Sequence, residues 1–327
     1  MMWLCDFVSL PAPEAAGKDR AGTGRLEVCH RSKYTRGNGG VQIASVQNVL
    51  SLNKITSLQN QRIKEVIKLG KHAVRNARRQ TVVEGLREAS RALANGIRPL
   101  EVYLCPDLVR EDERTEFTGL FRLLEQQGQR ELFEVTPAVF AKLAYREASD
   151  GVLMVIPYVD RPLAALPLSE SPFLCVIEGV EKPGNLGAIL RTADAAGVDG
   201  VILCAGATDL HNPNVVRASL GTLFTVPVAE VPSATAIAWL QAHQIQIIAA
   251  TPDGAIRYTD ADLAGPVAIV MGSEAHGLSP LWRQAADAAV VIPMFGAADS
   301  LNLSTSTALL LYEVVRQRAL NPHKPNR

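Results

Sequence analysis

Short apolar runs alternate with amphipathic stretches of helical period along most of this chain. In the first half, TVVEG, LEVYLC, ELFEV and GVLMVIPY read as strands. Between them, QNQRIKEVIKLGKHAVRNARRQ, LREASRALANG and TPAVFAKLA carry apolar residues at helical spacing, with Ile63, Val66 and Ile67 on one face. Thr136 followed by Pro137 is a helix-start signal. In the second half the apolar runs are FLCVI, GVILC, TLFTVPV, IQIIAA, VAIVM and VVIPM. They alternate with the helical patterns LGAILRTADAAG, NPNVVRASLG, SATAIAWLQAHQ and SLNLSTSTALLLYEVVRQRA. Continuous rather than alternating apolar runs belong to strands covered on both faces. The expected fold is therefore α/β, with a mostly parallel sheet in the second half and ligands held at the loops leaving its carboxyl ends.

Pro157, Pro162, Pro167 and Pro172 recur every five residues, a spacing that no helix or central strand tolerates. They predict a stiff extended linker over 158–172, between a smaller α/β domain at 49–157 and a larger one at 173–320. Residues 1–48 mix Gly, Arg, Pro and Ala without a sustained period and read as a flexible extension; 321–327 reads as a tail.

The 327 residues hold 33 Lys plus Arg and 33 Asp plus Glu, so no global charge announces a polyanionic partner. One local patch does. Between Arg62 and Gln80 seven basic residues face Glu65 alone, and Lys64, Lys68, Lys71, Arg75 and Arg78 follow one another at 4, 3, 4 and 3, one stripe of a helix. The stripe is either a solvated face or a phosphate contact. The five cysteines form no C-x-x-C pair, so neither zinc nor a disulfide framework is expected and a reducing cytoplasm fits. The opening MMWLCDFVSL lacks the basic leader of a secretory signal, and no run reaches the roughly 18 to 20 apolar residues of a membrane span.

Three of the strand-end loops are chemically unusual. The first, in VIEGVEKPGNLGAILRTADAAG at 176–197, brings Asn185, Gly187 and Arg191 to a strand–helix junction. The second is GSEAHGL at 272–278; the third joins IPM at 292–294 to SLNLS at 300–304, with Tyr312 and Glu313 farther along the last helix. Together these resemble the motifs of the SpoU/TrmH branch of the SPOUT superfamily, RNA ribose 2′-O-methyltransferases that use S-adenosylmethionine. ITSLQNQRIKEVIKL and VVEGLREASRAL look like that family's amino-terminal RNA-binding domain, which is related to ribosomal proteins. The resemblance implies a deep trefoil knot in the second domain, a feature that periodicity does not reveal. It also implies a homodimer packed on the last helix, no metal, and RNA as substrate, with large-subunit (23S) ribosomal RNA favoured over transfer RNA.

The resemblance also assigns residues. Gly272, Ile292, Met294 and Leu301 would hold S-adenosylmethionine; otherwise they read as a tight turn and core packing. Asn185, Arg191, Glu274 and Asn302 would form the catalytic group, and the basic stripe Lys64, Lys68, Lys71, Arg75 and Arg78 would touch RNA. Without the family, Asn185 reads as a helix N-cap, Arg191 as a surface helix charge or an ion pair with Asp194 or Glu178, and Glu274 as a solvated turn carboxylate. One of Ser300, Asn302 and Ser304 should cap the last helix. A guanidinium with a pKa above about 12 is a poor base at neutral pH, so Arg191 is better suited to steady a developing alkoxide. A nucleotide enzyme lacks its glycine-rich signature here, and a Ser273, Glu274, His276 hydrolase lacks the G-x-S-x-G elbow. A transfer-RNA enzyme and a non-catalytic RNA-binding assembly factor stay as alternatives.

Overall fold

The computed structural model describes residues 53–320, Glu147 and Ala207 excepted; the extension at 1–48 and the tail at 321–327 lie outside the described residues. The first lobe contains β1 (Asn53–Ile55), α1 (Gln61–Lys68), α2 (His72–Arg78), β2 (Gln80–Glu84), α3 (Leu86–Ala94), β3 (Glu101–Leu104), α4 (Arg114–Gln126), β4 (Leu132–Val135), α5 (Pro137–Leu143) and β5 (Val152–Pro157). Its five-stranded sheet has the order β1-β4-β3-β5-β2. β1, β4 and β3 are parallel, and β5 runs antiparallel to both β3 and β2. Ile63, Val66 and Leu69 from the α1 region join Val139, Phe140 and Leu143 of α5 in a core against this sheet. Thr136 caps α5, accepting from Val139 N at 3.4 Å, as the Thr-Pro pair predicts.

The helix carrying the basic stripe is broken. α1 ends at Lys68 and α2 starts at His72, so the stripe runs over two short helices. Asn60 starts the first by accepting from Arg62 N, and Arg79 ends the second in the left-handed conformation.

The segment predicted as a stiff extended linker is laid on the second lobe. Leu163 and Leu166 are buried in the core of the large sheet, beside Leu174, Ile202 and Trp282. Its prolines keep it extended, and its leucines fasten it; each fully buried side chain of this size contributes about 1.5 to 3 kcal/mol.

The second lobe contains β6 (Phe173–Glu178), α6 (Pro183–Ala196), β7 (Gly200–Cys204), α7 (Pro213–Ala218), β8 (Val228–Glu230), α8 (Ser233–Ala242), β9 (Gln246–Ala250), β10 (Ile256–Arg257), β11 (Val267–Met271), α9 (Pro280–Ala285), β12 (Ala288–Val291) and α10 (Leu303–Leu320). The seven strands have the order β10-β12-β9-β11-β6-β7-β8, and every pairing is parallel. α8 and α9 cover one face through Leu240 and Trp282, while α6, α7 and α10 pack together on the other. β11 is inserted between β6 and β9, and β12 between β9 and β10, so the last third of the chain re-enters the interior of the sheet.

TLFTVPV is not one strand. Thr222–Phe224 is a 3-10 turn entered through Gly221 in the left-handed conformation, and β8 begins only at Val228. The Thr222 hydroxyl donates to the Ser219 carbonyl at 2.8 Å, which closes the turn locally.

Candidate active site

The three unusual loops converge at the carboxyl ends of the large sheet. α6 starts at Pro183, with Lys182 as its N-cap residue, so Asn185 lies inside the first turn and does not cap the helix. Proline at the first helical position explains the early start: its fixed φ suits a helix and it has no N–H to satisfy. Asn185 is thereby free for longer contacts. Its Nδ2 donates to Oε1 of Glu274, and its Oδ1 accepts from Nδ2 of Asn302 at 3.2 Å. Asn302 Oδ1 in turn accepts from Ser304 N at 2.9 Å and Ser304 Oγ at 2.6 Å. Of the three capping candidates, Asn302 is therefore the cap of α10. A single hydrogen-bonded line runs from Glu274 through Asn185 to Asn302, one residue from each motif.

The second loop is tightly folded. Ser273 and Gly277 exchange two backbone hydrogen bonds, 3.1 and 3.0 Å, and the Ser273 hydroxyl accepts from His276 N at 3.0 Å. A Cβ on Gly272 would lie 2.2 Å from the Gly277 carbonyl carbon and 2.3 Å from Leu278 N, so this strand end admits glycine alone. Glu178, at the end of β6, is buried and accepts from Ser279 N and Oγ, both at 2.8 Å, and from Ser233 Oγ at 3.0 Å. It anchors the far side of the same loop.

Beside this line, between the ends of β9, β11 and β12, lies a cavity of about 370 Å³. Ile292, Met294 and Leu301, three of the four residues expected to hold a cofactor, line it. Gly272 is not among the lining residues; it sits one position beyond Met271, which is. The sequence reading missed the wall formed by Ala250, Thr251 and Pro252. The TPDG turn after IQIIAA was the available signal, since it too leaves the carboxyl end of a strand.

Arg191 stands apart. It is exposed on α6, and among the described residues it makes no ion pair or side-chain hydrogen bond. Neither expected partner takes it: Asp194 accepts from Thr225 Oγ1 at 2.5 Å, and Glu178 is committed to Ser233 and Ser279. Six residues along a helix amount to a rotation of about 240°, so Arg191 and Asn185 occupy different faces of α6.

The basic stripe is redistributed. Lys64 and Lys71 are exposed, and among the described residues neither forms an ion pair. Lys68 donates to Glu65 at 2.7 Å, and Arg78 reaches the other oxygen of the same carboxylate. These two cations hold Glu65 at about 2. Arg75 is the correction: it is 2% exposed and bound inside the protein, so it offers nothing to a phosphate. The break between α1 and α2 turns it inward.

Known proteins match the chain in both halves. The SpoU rRNA Methylase family matches residues 172–312, and the MRM3-like substrate binding domain matches 60–154. A 23S rRNA (uridine(2479)-2′-O)-methyltransferase from Streptomyces viridochromogenes is 32% identical over 257 residues, 76% of this chain and 87% of the relative. The chain belongs to the SpoU rRNA methylase family. A second relative, a 23S rRNA (guanosine-2′-O-)-methyltransferase from Yersinia pestis, is 39% identical over 165 residues, 50% of this chain and 67% of that protein. The crystal structure of an AdoMet-bound rRNA methyltransferase from Sinorhizobium meliloti superposes with a TM-score of 0.74 at 30% identity, over 81% of this chain and 98% of that one. The SpoU family match begins at the start of β6 and ends within α10, so it encloses all three loops of the hydrogen-bonded line and the whole cavity wall. No group of three or more metal-ligating side chains occurs among the described residues, and no described helix is long and apolar enough to cross a membrane.

Proposed function

We propose that this SpoU-family chain transfers the methyl group of S-adenosylmethionine to a ribose 2′-hydroxyl of 23S ribosomal RNA. The observation that carries the reading is the line Glu274–Asn185–Asn302, which ties all three motifs together at the edge of the cavity. The cavity fits the cofactor. Its volume of about 370 Å³ lies within the range of about 300 to 1,000 Å³ usual for ligand sites, and it offers apolar walls from Met271, Val290, Ile292 and Leu301 with a polar rim at Thr251, Asp299 and Ser300. Ile292, Met294 and Leu301 would hold the cofactor there, with Gly272 keeping the neighbouring loop close enough to form the wall.

When bound, S-adenosylmethionine supplies a methyl group activated on a sulfonium. The protein supplies alignment and charge. Asn185 and Asn302, each holding the other, fix the loops against which the ribose would rest. Glu274 holds the amide of Asn185 in one orientation. Arg191, an exposed cation farther along α6, would bind the target phosphate and steady negative charge on the 2′-oxygen as its proton passes to water. The first lobe grips RNA phosphates through Lys64, Lys71, Lys68 and Arg78.

The same proposal includes a homodimer, with work in the cytoplasm. α10 leaves Leu309 and Tyr312 exposed beside Tyr258 and Ala308, an apolar groove that a second copy would cover. Sedimentation at twice the protomer mass is the expected result. The function itself is tested by incubating the protein with methyl-labelled S-adenosylmethionine and either 23S rRNA or transfer RNA. Label in 23S rRNA that resists alkaline hydrolysis at one linkage supports the reading; label in transfer RNA alone, or in neither, refutes it.

A further inference from the structure

The two lobes are joined by polar contacts that the fold of neither lobe requires. Arg75, on α2, donates from Nη1 to the Leu69 and Gly70 carbonyls at 2.8 and 2.9 Å, which ends α1. Its Nε and Nη2 both reach across to Oδ2 of Asp209, at 3.0 and 2.5 Å, in the segment between β7 and α7. The other oxygen of Asp209 accepts from His211 N at 2.9 Å. The His211 carbonyl accepts from Thr81 Oγ1 of β2 at 2.5 Å, and its ring stacks on Tyr158 with centroids 3.7 Å apart. Beyond α7, the Leu220 carbonyl accepts from Arg91 Nη1 of α3 at 2.6 Å.

The first lobe therefore grips the chain on both sides of α7. That helix touches α6 with no room to spare: a Cβ on Gly187 would lie 2.4 Å from Ala218 Cβ and 2.7 Å from Ser219 N. α6 bears Asn185 and Arg191. A buried guanidinium with four hydrogen bonds committed has one favourable arrangement, and losing its carboxylate leaves an uncompensated charge, so the joint it makes is discrete rather than sliding.

We propose that Arg75, together with Asp209, is a positioning residue that locks the RNA-binding lobe to α7 and, through α7, to the helix carrying Asn185 and Arg191. RNA held by the exposed lysines of α1 and of the turn before α2 is thereby presented to the active-site loops at one fixed spacing. The inference rests on the reading that the chain methylates RNA.

The test uses the full chain with Asp209→Asn, which keeps the shape and removes the charge. Single-turnover methylation of an rRNA fragment, at saturating RNA and S-adenosylmethionine, is expected to fall about tenfold or more, while both dissociation constants stay within about threefold, because a misplaced site loses rate rather than affinity. An unchanged rate, or a weakened RNA affinity with the rate intact, overturns the proposal. If Asp209→Asn does not fold, Thr81→Val with Arg91→Leu loosens the same joint without stranding a charge, and is expected to give the same split; an unchanged rate there also overturns it. The parent chain separates the two claims. An inactive parent overturns the proposed function and this inference with it, whereas an active parent matched by its variants overturns this inference alone.

Discussion

Asn302 does two jobs that can be separated by one atom. Its Oδ1 caps α10 through Ser304 N, and its Nδ2 holds Asn185. Asn302→Asp keeps the capping oxygen and loses the donor; Asn302→Ala loses both. The aspartate variant should therefore melt close to the parent yet turn over poorly, while the alanine variant should also lose about 1 kcal/mol of stability. Thermal melts beside rate measurements distinguish these, and equal melting losses in both variants would contradict the division of labour. Arg191 poses a different question, since among the described residues it makes no ion pair or side-chain hydrogen bond. Arg191→Ala should abolish nearly all methyl transfer while leaving S-adenosylmethionine binding near the parent value by calorimetry. Full turnover on saturating RNA would remove it from the catalytic group. Both residues were legible in the sequence only because three motifs occur together. The local reading fails at Asn185, which Pro183 places inside α6 rather than at its cap, while Arg191 is the surface charge and not the ion pair with Asp194 or Glu178.

Among the elements, the long apolar runs were the readable ones. FLCVI, GVILC, IQIIAA and VAIVM are buried strands of a parallel sheet, as continuous hydrophobicity implies. β1 and β10 were missed because edge strands of three and two residues bury too little to leave a pattern. The basic stripe is legible only in part: Gly70 marks a break midway and the chain does turn between Lys68 and His72, but spacing does not report that Arg75 then faces inward. Its electrostatic prediction changes accordingly. Neutralising Lys64 and Lys71 should reduce the log–log salt slope of RNA binding by roughly 0.7 to 0.9 per phosphate contact, whereas neutralising Arg75 should not act through this slope. An unchanged slope in the double lysine variant would return these residues to a solvated face. Glu65 adds a pH effect. Lys68 and Arg78 lower its carboxyl from 4.5 to about 2, so its contribution is complete above 4.5 and is lost as pH falls toward 2. A carboxyl resonance of Glu65 that titrates near 4.5 in the folded protein would contradict that pairing.

At the scale of the molecule, the proline-rich segment suggested two domains on a stiff tether. The structure instead packs the tether onto the large sheet and ties the lobes together through Arg75, Thr81 and Arg91. Spacing of prolines reports that a segment is extended; it does not report what its intervening leucines touch. The resulting molecule has a cationic face on one lobe and a cofactor-sized cavity with a polar line of side chains on the other. In the proposed function the second acts on a ribose of RNA held by the first. The most direct measurement is a transcriptome-wide map of ribose 2′-O-methylation in cells with and without the gene. One 2′-O-methyl mark is expected to disappear from 23S rRNA without the gene and to return with the parent gene but not with Arg191→Ala. A 23S rRNA map that is identical in both cells, whether or not a transfer-RNA mark is lost, would contradict it.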